Sequence, residues 1–192
     1  MSKPYNVAVV GATGLVGQEF LKIAVQRRLP IKELRLLASS RSAGRRLTVG
    51  EWEVEVEEAT SRSFRGVDLA FFSATTEVSR QLIPAAVKAG AIVIDDSSAW
   101  RMEPDVPLVV PEVNAADLEW HKGITAIPNC PTTPLVLTLW PLHRINPVKR
   151  IIVDTYQSVS GTGALAVQEL TDQTRSVLDG NNTTSHVYPH QI

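Results

Sequence analysis

The sequence has 192 residues and a formal net charge of −1, with 44% hydrophobic and 20% charged residues. These values are ordinary for a globular protein that buries a substantial core in one large or two small domains. Because no basic excess is available to neutralise phosphates, we expect neither a nucleic acid nor a membrane surface as partner. A single cysteine leaves no internal disulfide. With no signal-peptide pattern and no long apolar run, we expect a cytoplasmic protein.

The first motif of the chain is a glycine turn between a strand pattern and a helix pattern. The β-branched run Tyr5–Val10 leads into Gly11-Ala12-Thr13-Gly14-Leu15-Val16-Gly17, and helix-forming residues follow over Gln18–Gln26. This order predicts the opening of a dinucleotide-binding unit, in which glycines let the backbone approach a pyrophosphate at the helix N-terminus. The spacing G-x-x-G-x-x-G differs from the common G-x-G-x-x-G fingerprint, and a glycine turn that binds nothing is the alternative.

The end of the second strand pattern bears on cofactor choice. After Glu33–Ala38 the chain has Ser39, Ser40 and Arg41, where an NAD-binding unit commonly has a carboxylate for the ribose hydroxyl. Hydroxyl groups with an arginine suit a 2′-phosphate, which favours NADP over NAD. A solvated polar loop is the alternative.

Strand and helix patterns alternate over the next part of the chain. Three further strands are predicted at Trp52–Glu57, Val67–Ser73 and Ala91–Asp95, with short strands or extended pieces at Leu108–Asn114 and Gly123–Ile127 and a helix over Thr76–Lys88. Within Val67–Ser73 the run Leu69–Phe72 is continuously apolar, as in a parallel strand buried on both faces. The alternation from residue 5 to about 144 predicts an α/β fold with a doubly wound, Rossmann-type sheet.

Arg101 is the first candidate for binding an anion. It ends the run Asp95–Arg101, which follows a predicted strand and therefore lies at the carboxyl edge of the sheet, where open α/β sheets bind ligands. There it suits a phosphate or a carboxylate. The alternative is a surface arginine paired with Glu103 or Asp105.

Cys130, the only cysteine, is the candidate nucleophile. It follows Pro128-Asn129, and the apolar run after it predicts a buried helix that begins near Thr132 or Thr133, with either threonine as its cap. Unpaired N–H groups and the positive end of the helix dipole favour the thiolate, which is the reactive form. The alternative is an inert buried cysteine.

The pattern changes after residue 143. A long strand is predicted over Val148–Val159, followed by Ser160-Gly161 and a helix from about Ala164 to Leu178 that ends before Gly180. We therefore divide the chain into a dinucleotide-binding domain, 1–133, and the beginning of an α+β domain, 134–192. The histidines of the tail lack metal-binding companions at a useful spacing, so no metal site is expected.

Taken together, five motifs resemble those of aspartate-β-semialdehyde dehydrogenase. They are Gly11–Gly17, Asp95–Arg101, Val110–Asn114, Pro128–Cys130 and Thr155–Gly161, and they follow the family's order along nearly the whole chain. N-acetyl-γ-glutamyl-phosphate reductase, the relative nearest in chemistry, usually has glycine before its cysteine and tyrosine after it. Asn129 and Pro131 therefore favour the semialdehyde enzyme, although Pro131 departs from the small hydroxyl residue common in that family.

The resemblance implies an NADP- and phosphate-dependent interconversion of L-aspartate 4-semialdehyde and 4-aspartyl phosphate, in the biosynthesis of lysine, methionine and threonine. It implies Cys130 as the acyl-carrying nucleophile, Arg101 as phosphate ligand, Asn129 as support for the phosphate or intermediate oxygen, and Gln157 as substrate-orienting residue. Further residues implied near the cofactor are Ser73, Ala74, Ser160 and Gly161, with Ser39, Ser40 and Arg41 at the 2′-phosphate. A homodimer or homotetramer is implied for the full-length protein.

The resemblance also implies what the 192 residues lack. None of His121, His143, His186 or His190 matches the motif of the family's acid/base histidine. We therefore interpret the chain as the N-terminal part of a protein of roughly twice the length, given the usual size of two-domain enzymes. A non-catalytic nucleotide-binding module is the alternative, and the chain alone is expected to show little or no turnover.

Overall fold

A computed structural model describes residues 3–192, which form two compact units. The first unit extends to Lys149 and the second comprises Arg150–Ile192. The boundary that the sequence suggested, between residues 133 and 134, stays a prediction.

The first unit is built on a seven-stranded sheet with strand order β3-β4-β2-β1-β5-β6-β7. All neighbours are parallel except β3 and β4, which form an antiparallel pair. The predicted doubly wound α/β fold is confirmed, and β3 is a strand that the sequence did not indicate. The strands are β1 (Tyr5–Val10), β2 (Ile31–Ala38), β3 (Arg46–Val49), β4 (Trp52–Glu58), β5 (Leu69–Phe72), β6 (Ile92–Asp95) and β7 (Ile124–Ala126).

The apolar strand runs are explained by cores on both faces of the sheet. Successive side chains of a strand point to opposite faces, so Val7 and Val9 pack in one core and Ala8 and Val10 in the other. Leu21 of the first helix joins the former core, while the other core includes residues of the second helix. The two cores bury both faces of β1, which lies at the centre of the sheet. The C-terminal end of β1 therefore lies at the middle of the carboxyl edge of the sheet.

Five α-helices occur within residues 3–192. They are α1 (Leu15–Gln26), α2 (Thr76–Lys88), α3 (Pro111–Asn114), α4 (Thr132–Ile145) and, in the second unit, α5 (Ala164–Leu178). The predicted bounds of α2 and α5 are confirmed, and α1 begins three residues earlier than predicted because Gly14 is its N-cap. The segment Leu108–Asn114 contributes one isolated bridge at Leu108 and then the short helix α3. No helix within residues 3–192 is long and apolar enough to cross a membrane.

The predicted long strand over Val148–Val159 is wrong. Residues 146–158 have no regular secondary structure, and a short 3₁₀ turn follows at Val159–Thr162. A strand needs a neighbour that pairs with its N–H and C=O groups, and the described chain offers this segment no strand partner. Its apolar residues are correspondingly exposed, Ile152 by 79%.

The prediction of a buried, threonine-capped helix after Cys130 is wrong in two respects. No residue of α4, which is described over its full length, is buried, and Ile145 is 86% exposed. Its N-cap is Pro131, with no side-chain cap, and Thr132 is already the first helical residue. The apolar run therefore reflects a surface that the described elements leave uncovered.

In the second unit, side chains of α5 hold the segment that follows it. The helix ends as predicted at Gly180, which adopts φ of 74° while its N–H donates to the carbonyl of Val177. The carboxylate of Glu169 then accepts backbone N–H groups from Val187, His186 and Tyr188. These bonds, that of Val187 first, hold the pKa of Glu169 below its usual range, while burial opposes them.

Candidate functional site

The glycine turn brings the C-terminal ends of β1 and β5 into backbone contact. Gly11 has φ of 83°, and a Cβ atom built there would lie 1.9 Å from the carbonyl oxygen of Ser73. A Cβ atom on Gly17 would lie 2.2 Å from the carbonyl oxygen of Gly11. Only glycine allows both approaches. The turn therefore lies where the strand order reverses, with Ser73 and Ala74 beside it, which is the usual nucleotide position in a doubly wound sheet.

The N-terminus of α1 offers open hydrogen-bond donors next to this turn. Within the described part of the chain, the backbone N–H groups of Leu15, Val16 and Gly17 have no hydrogen-bond acceptor, and Gln18 is the first to bond back, to Gly14. The first turn also carries no acidic side chain. Three oriented donors at the positive end of a twelve-residue helix form an arrangement that suits a phosphate group.

The segment after β2 lies beside the same turn. The N–H groups of Gly11 and Ala12 both donate to the carbonyl of Leu37 near the end of β2, over 2.8 and 3.2 Å. The Thr13 hydroxyl contacts the hydroxyl of Ser42 at 3.4 Å. Ser39, Ser40 and Arg41 are all exposed, the last two in a short 3₁₀ turn. The structure thus places the glycine turn and the predicted 2′-phosphate residues on neighbouring loops.

Arg101 joins the loops that follow β6 and β7. Its Nε donates to the carbonyl of Ile127 over 2.9 Å, and its Nη2 donates to the carbonyl of Asp96 over 2.7 Å. The predicted alternative, a surface ion pair, is wrong, because Glu103 pairs with Arg80 and Asp105 pairs with Lys122. Arg101 is half-buried. The position of its guanidinium is therefore fixed by backbone carbonyls rather than by a flexible carboxylate.

Asp96 lies against this arginine with a perturbed carboxyl group. Partial burial raises the pKa of Asp96, the positive charge of Arg101 opposes that rise, and the negative Asp95 adds to it. The loop therefore combines one cation with two carboxyl groups at the carboxyl edge of the sheet.

Cys130 lies in the tight turn that leads from β7 into α4. The carbonyl of Asn129 accepts the N–H groups of Thr132 and Thr133, over 2.9 and 3.4 Å, and Pro131 has no N–H. The sequence argument from unpaired N–H groups is therefore wrong, since the donors that begin α4 are already bonded.

The thiol is nevertheless accessible. Cys130 is exposed, so the alternative of an inert buried cysteine is wrong. Asn129 is half-buried, and two residues before it the carbonyl of Ile127 accepts from Arg101. The structure therefore bonds Arg101 to the loop that carries Asn129 and Cys130.

The remaining predicted residues belong to the second unit. Gln157 is exposed in the irregular segment that begins that unit. Ser160 and Gly161 lie in the 3₁₀ turn before α5, where the Ser158 hydroxyl accepts from both the backbone and the hydroxyl of Ser160. Their roles toward substrate and cofactor stay predictions.

A buried carboxylate near the site was missed as an individual residue. Asp95 is fully buried and accepts hydrogen bonds from Ser79 on α2 and from Ser97 in the following loop. The available signal was a carboxylate at the end of an apolar strand, two residues before Ser97. Its partner Ser79 carried no signal, because a serine within a helix pattern usually faces solvent.

Comparison with known proteins gives matches along the chain. The NAD binding domain of semialdehyde dehydrogenase matches residues 6–121, and the dimerisation domain of semialdehyde dehydrogenase matches residues 139–192. An aspartate-semialdehyde dehydrogenase of Bacillus subtilis is 49% identical over 189 residues, which are 98% of this chain and 55% of the relative. The chain spans 57% and 55% of the length of two curated relatives that it matches, from Synechocystis and Bacillus subtilis.

Solved structures agree in fold. The crystal structure of aspartate semialdehyde dehydrogenase II from Vibrio cholerae, complexed with ASA, has a TM-score of 0.96 at 39% identity and covers 100% of this chain and 57% of that one. Aspartate semialdehyde dehydrogenase from Candida albicans, with NADP, has a TM-score of 0.60 at 29% identity over 76% of this chain and 48% of that one.

Proposed function

The chain belongs to the semialdehyde dehydrogenase family, and we propose that the whole protein interconverts L-aspartate 4-semialdehyde and 4-aspartyl phosphate with NADP and inorganic phosphate. The expected resemblance to aspartate-semialdehyde dehydrogenases is confirmed by the matched relatives. The observation that carries the reaction proposal is Arg101, which bonds to the loop that leads to Cys130.

The cofactor proposal is supported by the fit of the glycine turn. A nicotinamide cofactor, when bound, exchanges a hydride with the substrate carbon. The close backbone approach at Gly11 and the open N–H groups of Leu15, Val16 and Gly17 suit its pyrophosphate. Exposed Ser39, Ser40 and Arg41 offer hydroxyl and guanidinium donors, and no carboxylate, for a 2′-phosphate. The Candida relative with NADP supports the same choice.

The phosphate proposal is supported by the way Arg101 is held. Two backbone carbonyls take Nε and one hydrogen of Nη2, and an arginine carries five N–H donors in a planar fork. The donors not used by these carbonyls suit a phosphate or substrate oxygen. Because the guanidinium is held in place before any ligand arrives, little side-chain entropy is lost on binding.

In the proposed reaction Cys130 carries the acyl group. Its thiolate would add to the aldehyde carbon while the aldehyde oxygen takes up a proton, which gives a hemithioacetal. A bound nicotinamide cofactor would supply the hydride acceptor for oxidation of this adduct to a thioester, with the hydroxyl proton passing to a base. A phosphate oxygen then attacks the thioester carbon, which forms the acyl phosphate and releases the thiolate. Asn129 is proposed to support the intermediate oxygen or the phosphate, and Gln157 to orient the substrate. The same steps in reverse serve amino-acid biosynthesis.

Self-association is supported by the second domain match. Residues 139–192 match a dimerisation domain, and we propose a homodimer or homotetramer for the whole protein. A small-molecule substrate and a cytoplasmic location are proposed on the same likeness to aspartate-semialdehyde dehydrogenases.

Kinetics of single substitutions test the proposal. Phosphate-dependent reduction of NADP with the semialdehyde should fall by roughly 10³-fold or more in Cys130→Ser, because removal of a covalent nucleophile abolishes the acyl intermediate. Thr132→Ser, two residues away on α4, is the control and should keep its activity within about twofold. All variants are assayed in the whole protein, since the 192 residues alone are expected to show little turnover. If Cys130→Ser keeps substantial activity, or if the whole wild-type protein binds NADP without turnover, the enzyme proposal is wrong and a nucleotide-binding module is favoured.

A further inference from the structure

The carboxylate of Asp95 is a buried group that the proposed chemistry does not use. It is 0% exposed at the end of β6, and its two oxygens accept the hydroxyl groups of Ser79 and Ser97, over 3.0 and 2.7 Å. Burial of a carboxylate is costly unless each oxygen is bonded. An apolar side chain at this position would continue the run Ile92–Ile94, so the carboxylate needs another explanation.

The Ser97 hydroxyl extends the bonding into the loop that carries Arg101. Because it donates to Asp95, its lone pair is oriented to accept, and it accepts the backbone N–H of Ala99 over 3.0 Å. The link fixes the backbone two residues before Arg101. Ser79, by contrast, connects Asp95 only to α2.

The backbone of Asp95 closes a ring with Arg101. The carbonyl of Asp95 accepts the N–H of Ile127, and the carbonyl of Ile127 accepts Nε of Arg101. The ring closes when Nη2 of Arg101 donates to the carbonyl of Asp96. Asp95 is thereby connected to both residues whose carbonyls hold the guanidinium, to Ile127 by a hydrogen bond and to Asp96 by the peptide bond. Ile127 in turn lies shortly before Asn129 and Cys130 in the chain.

We infer that Asp95, through Ser97, is a positioning residue that fixes the guanidinium of Arg101 against the loop before Cys130 and so sets the affinity for the anion that Arg101 binds. The anion is inorganic phosphate or the phosphate of the acyl phosphate, and this part rests on the proposed function. Asp95 touches neither the cofactor nor a reacting atom in this scheme.

Ser97→Ala and Ser79→Ala form a matched pair that tests the inference. Each leaves one oxygen of Asp95 without its hydroxyl donor, and Ser97→Ala also leaves the N–H of Ala99 without its acceptor, so urea unfolding is used to measure the stability loss of each variant. Only Ser97→Ala breaks the connection to the Arg101 loop. We therefore expect hydrogen exchange at Nε of Arg101, followed by ¹⁵N NMR, to be about tenfold faster in Ser97→Ala and unchanged in Ser79→Ala.

Kinetics of the whole protein provide the second readout. The KM for inorganic phosphate should rise about tenfold in Ser97→Ala with kcat within about twofold, because binding geometry changes while the thiol stays in place. Ser97→Thr restores a hydroxyl and should recover both readouts, and Ser79→Ala should leave the KM for phosphate unchanged.

Two results overturn the inference. Unchanged exchange at Nε of Arg101 in Ser97→Ala would show that the network does not position the guanidinium. Equal effects of Ser79→Ala and Ser97→Ala would show general loosening of the core. Faster exchange with an unchanged KM for phosphate would instead count against Arg101 as phosphate ligand, so the two failures are distinguishable.

Discussion

Gly11 and Gly44 provide a direct test of why the first turn of the chain needs glycine. Both residues have φ of 83°, a value that L side chains rarely adopt. A Cβ atom on Gly11 would lie 1.9 Å from the carbonyl oxygen of Ser73, whereas a Cβ atom on Gly44 would have no atom within 4 Å. Alanine at Gly44 therefore introduces backbone strain alone, and alanine at Gly11 introduces the same strain together with a backbone clash.

The magnitudes follow from these two contributions. A left-handed backbone at a residue with a Cβ atom costs about 1–2 kcal/mol, so Gly44→Ala should lower the free energy of unfolding by that amount. Overpacking costs about 1–3 kcal/mol more, since the ends of β1 and β5 must separate to admit the methyl group. Gly11→Ala should therefore lose about 2–5 kcal/mol in all, and each kcal/mol corresponds to about 2–4 °C in Tm for a chain of this size.

Urea unfolding and calorimetric titration with NADP measure the two effects. We expect Gly11→Ala to lose more stability than Gly44→Ala. We also expect Gly11→Ala to lose NADP binding under conditions in which urea unfolding shows that it is still folded. Gly44→Ala should bind NADP like the wild type. Equal stability losses in the two variants would refute the close-approach argument, and normal NADP affinity in a folded Gly11→Ala variant would refute the role of the turn as a pyrophosphate site.

Three further predictions concern the core, the second unit and cofactor choice. Phe64 is 0% exposed, so Phe64→Ala should lower the free energy of unfolding in urea by about 3–5 kcal/mol. Met102 is 91% exposed, so Met102→Ala should leave that free energy nearly unchanged. The lowered pKa of Glu169 stabilises the second unit above the pKa of an unfolded glutamate, about 4.3, and this contribution is lost as pH falls through the lower folded value. Glu169→Gln should therefore lower the stability of the unit at pH 7 and flatten its pH dependence below about 4.3, and faster amide exchange at Val187 should report the loss; an unchanged pH profile would count against it. Arg41→Ala should weaken NADP binding by about tenfold or more and leave NAD binding within about twofold, and equal losses would remove the 2′-phosphate assignment.

The elements that the sequence indicated correctly are those whose packing is complete within the first unit or whose ends have local signals. β1 and β5 are apolar on both faces, and the structure buries both faces. α2 begins after Thr75, whose hydroxyl accepts the N–H of Val78, and ends with a basic residue, Lys88. Such signals act over a few residues, so they can be read without knowledge of the tertiary fold.

The errors concern segments whose structure depends on distant partners. The segment 148–159 has a strand-like composition, but residues 3–192 contain no strand that pairs with it. The helix α4 has an apolar sequence, but no described element packs over it closely enough to bury any of its residues. Periodicity indicates that a face is apolar; it does not identify what the face packs against.

The candidate site was predictable residue by residue but not in its hydrogen bonding. Glycine spacing indicated the turn, and its position after β1 gave its place on the sheet. The bonds of Arg101 to the carbonyls of Asp96 and Ile127 depend on strand order. The donors of Thr132 and Thr133 are bonded to Asn129, a detail of turn geometry that no spacing rule supplies.

Acylation of Cys130 is a direct test of the proposed thioester chemistry. The whole protein is incubated with L-aspartate 4-semialdehyde and NADP in the absence of phosphate, quenched in acid and analysed by peptide mass spectrometry. The proposed mechanism predicts one aspartyl group on the peptide that contains Cys130, no such group in Cys130→Ser, and its discharge when phosphate is added before quenching. Formation of NADPH and acyl phosphate with Cys130 unmodified under these conditions, or an adduct that phosphate does not discharge, would contradict it.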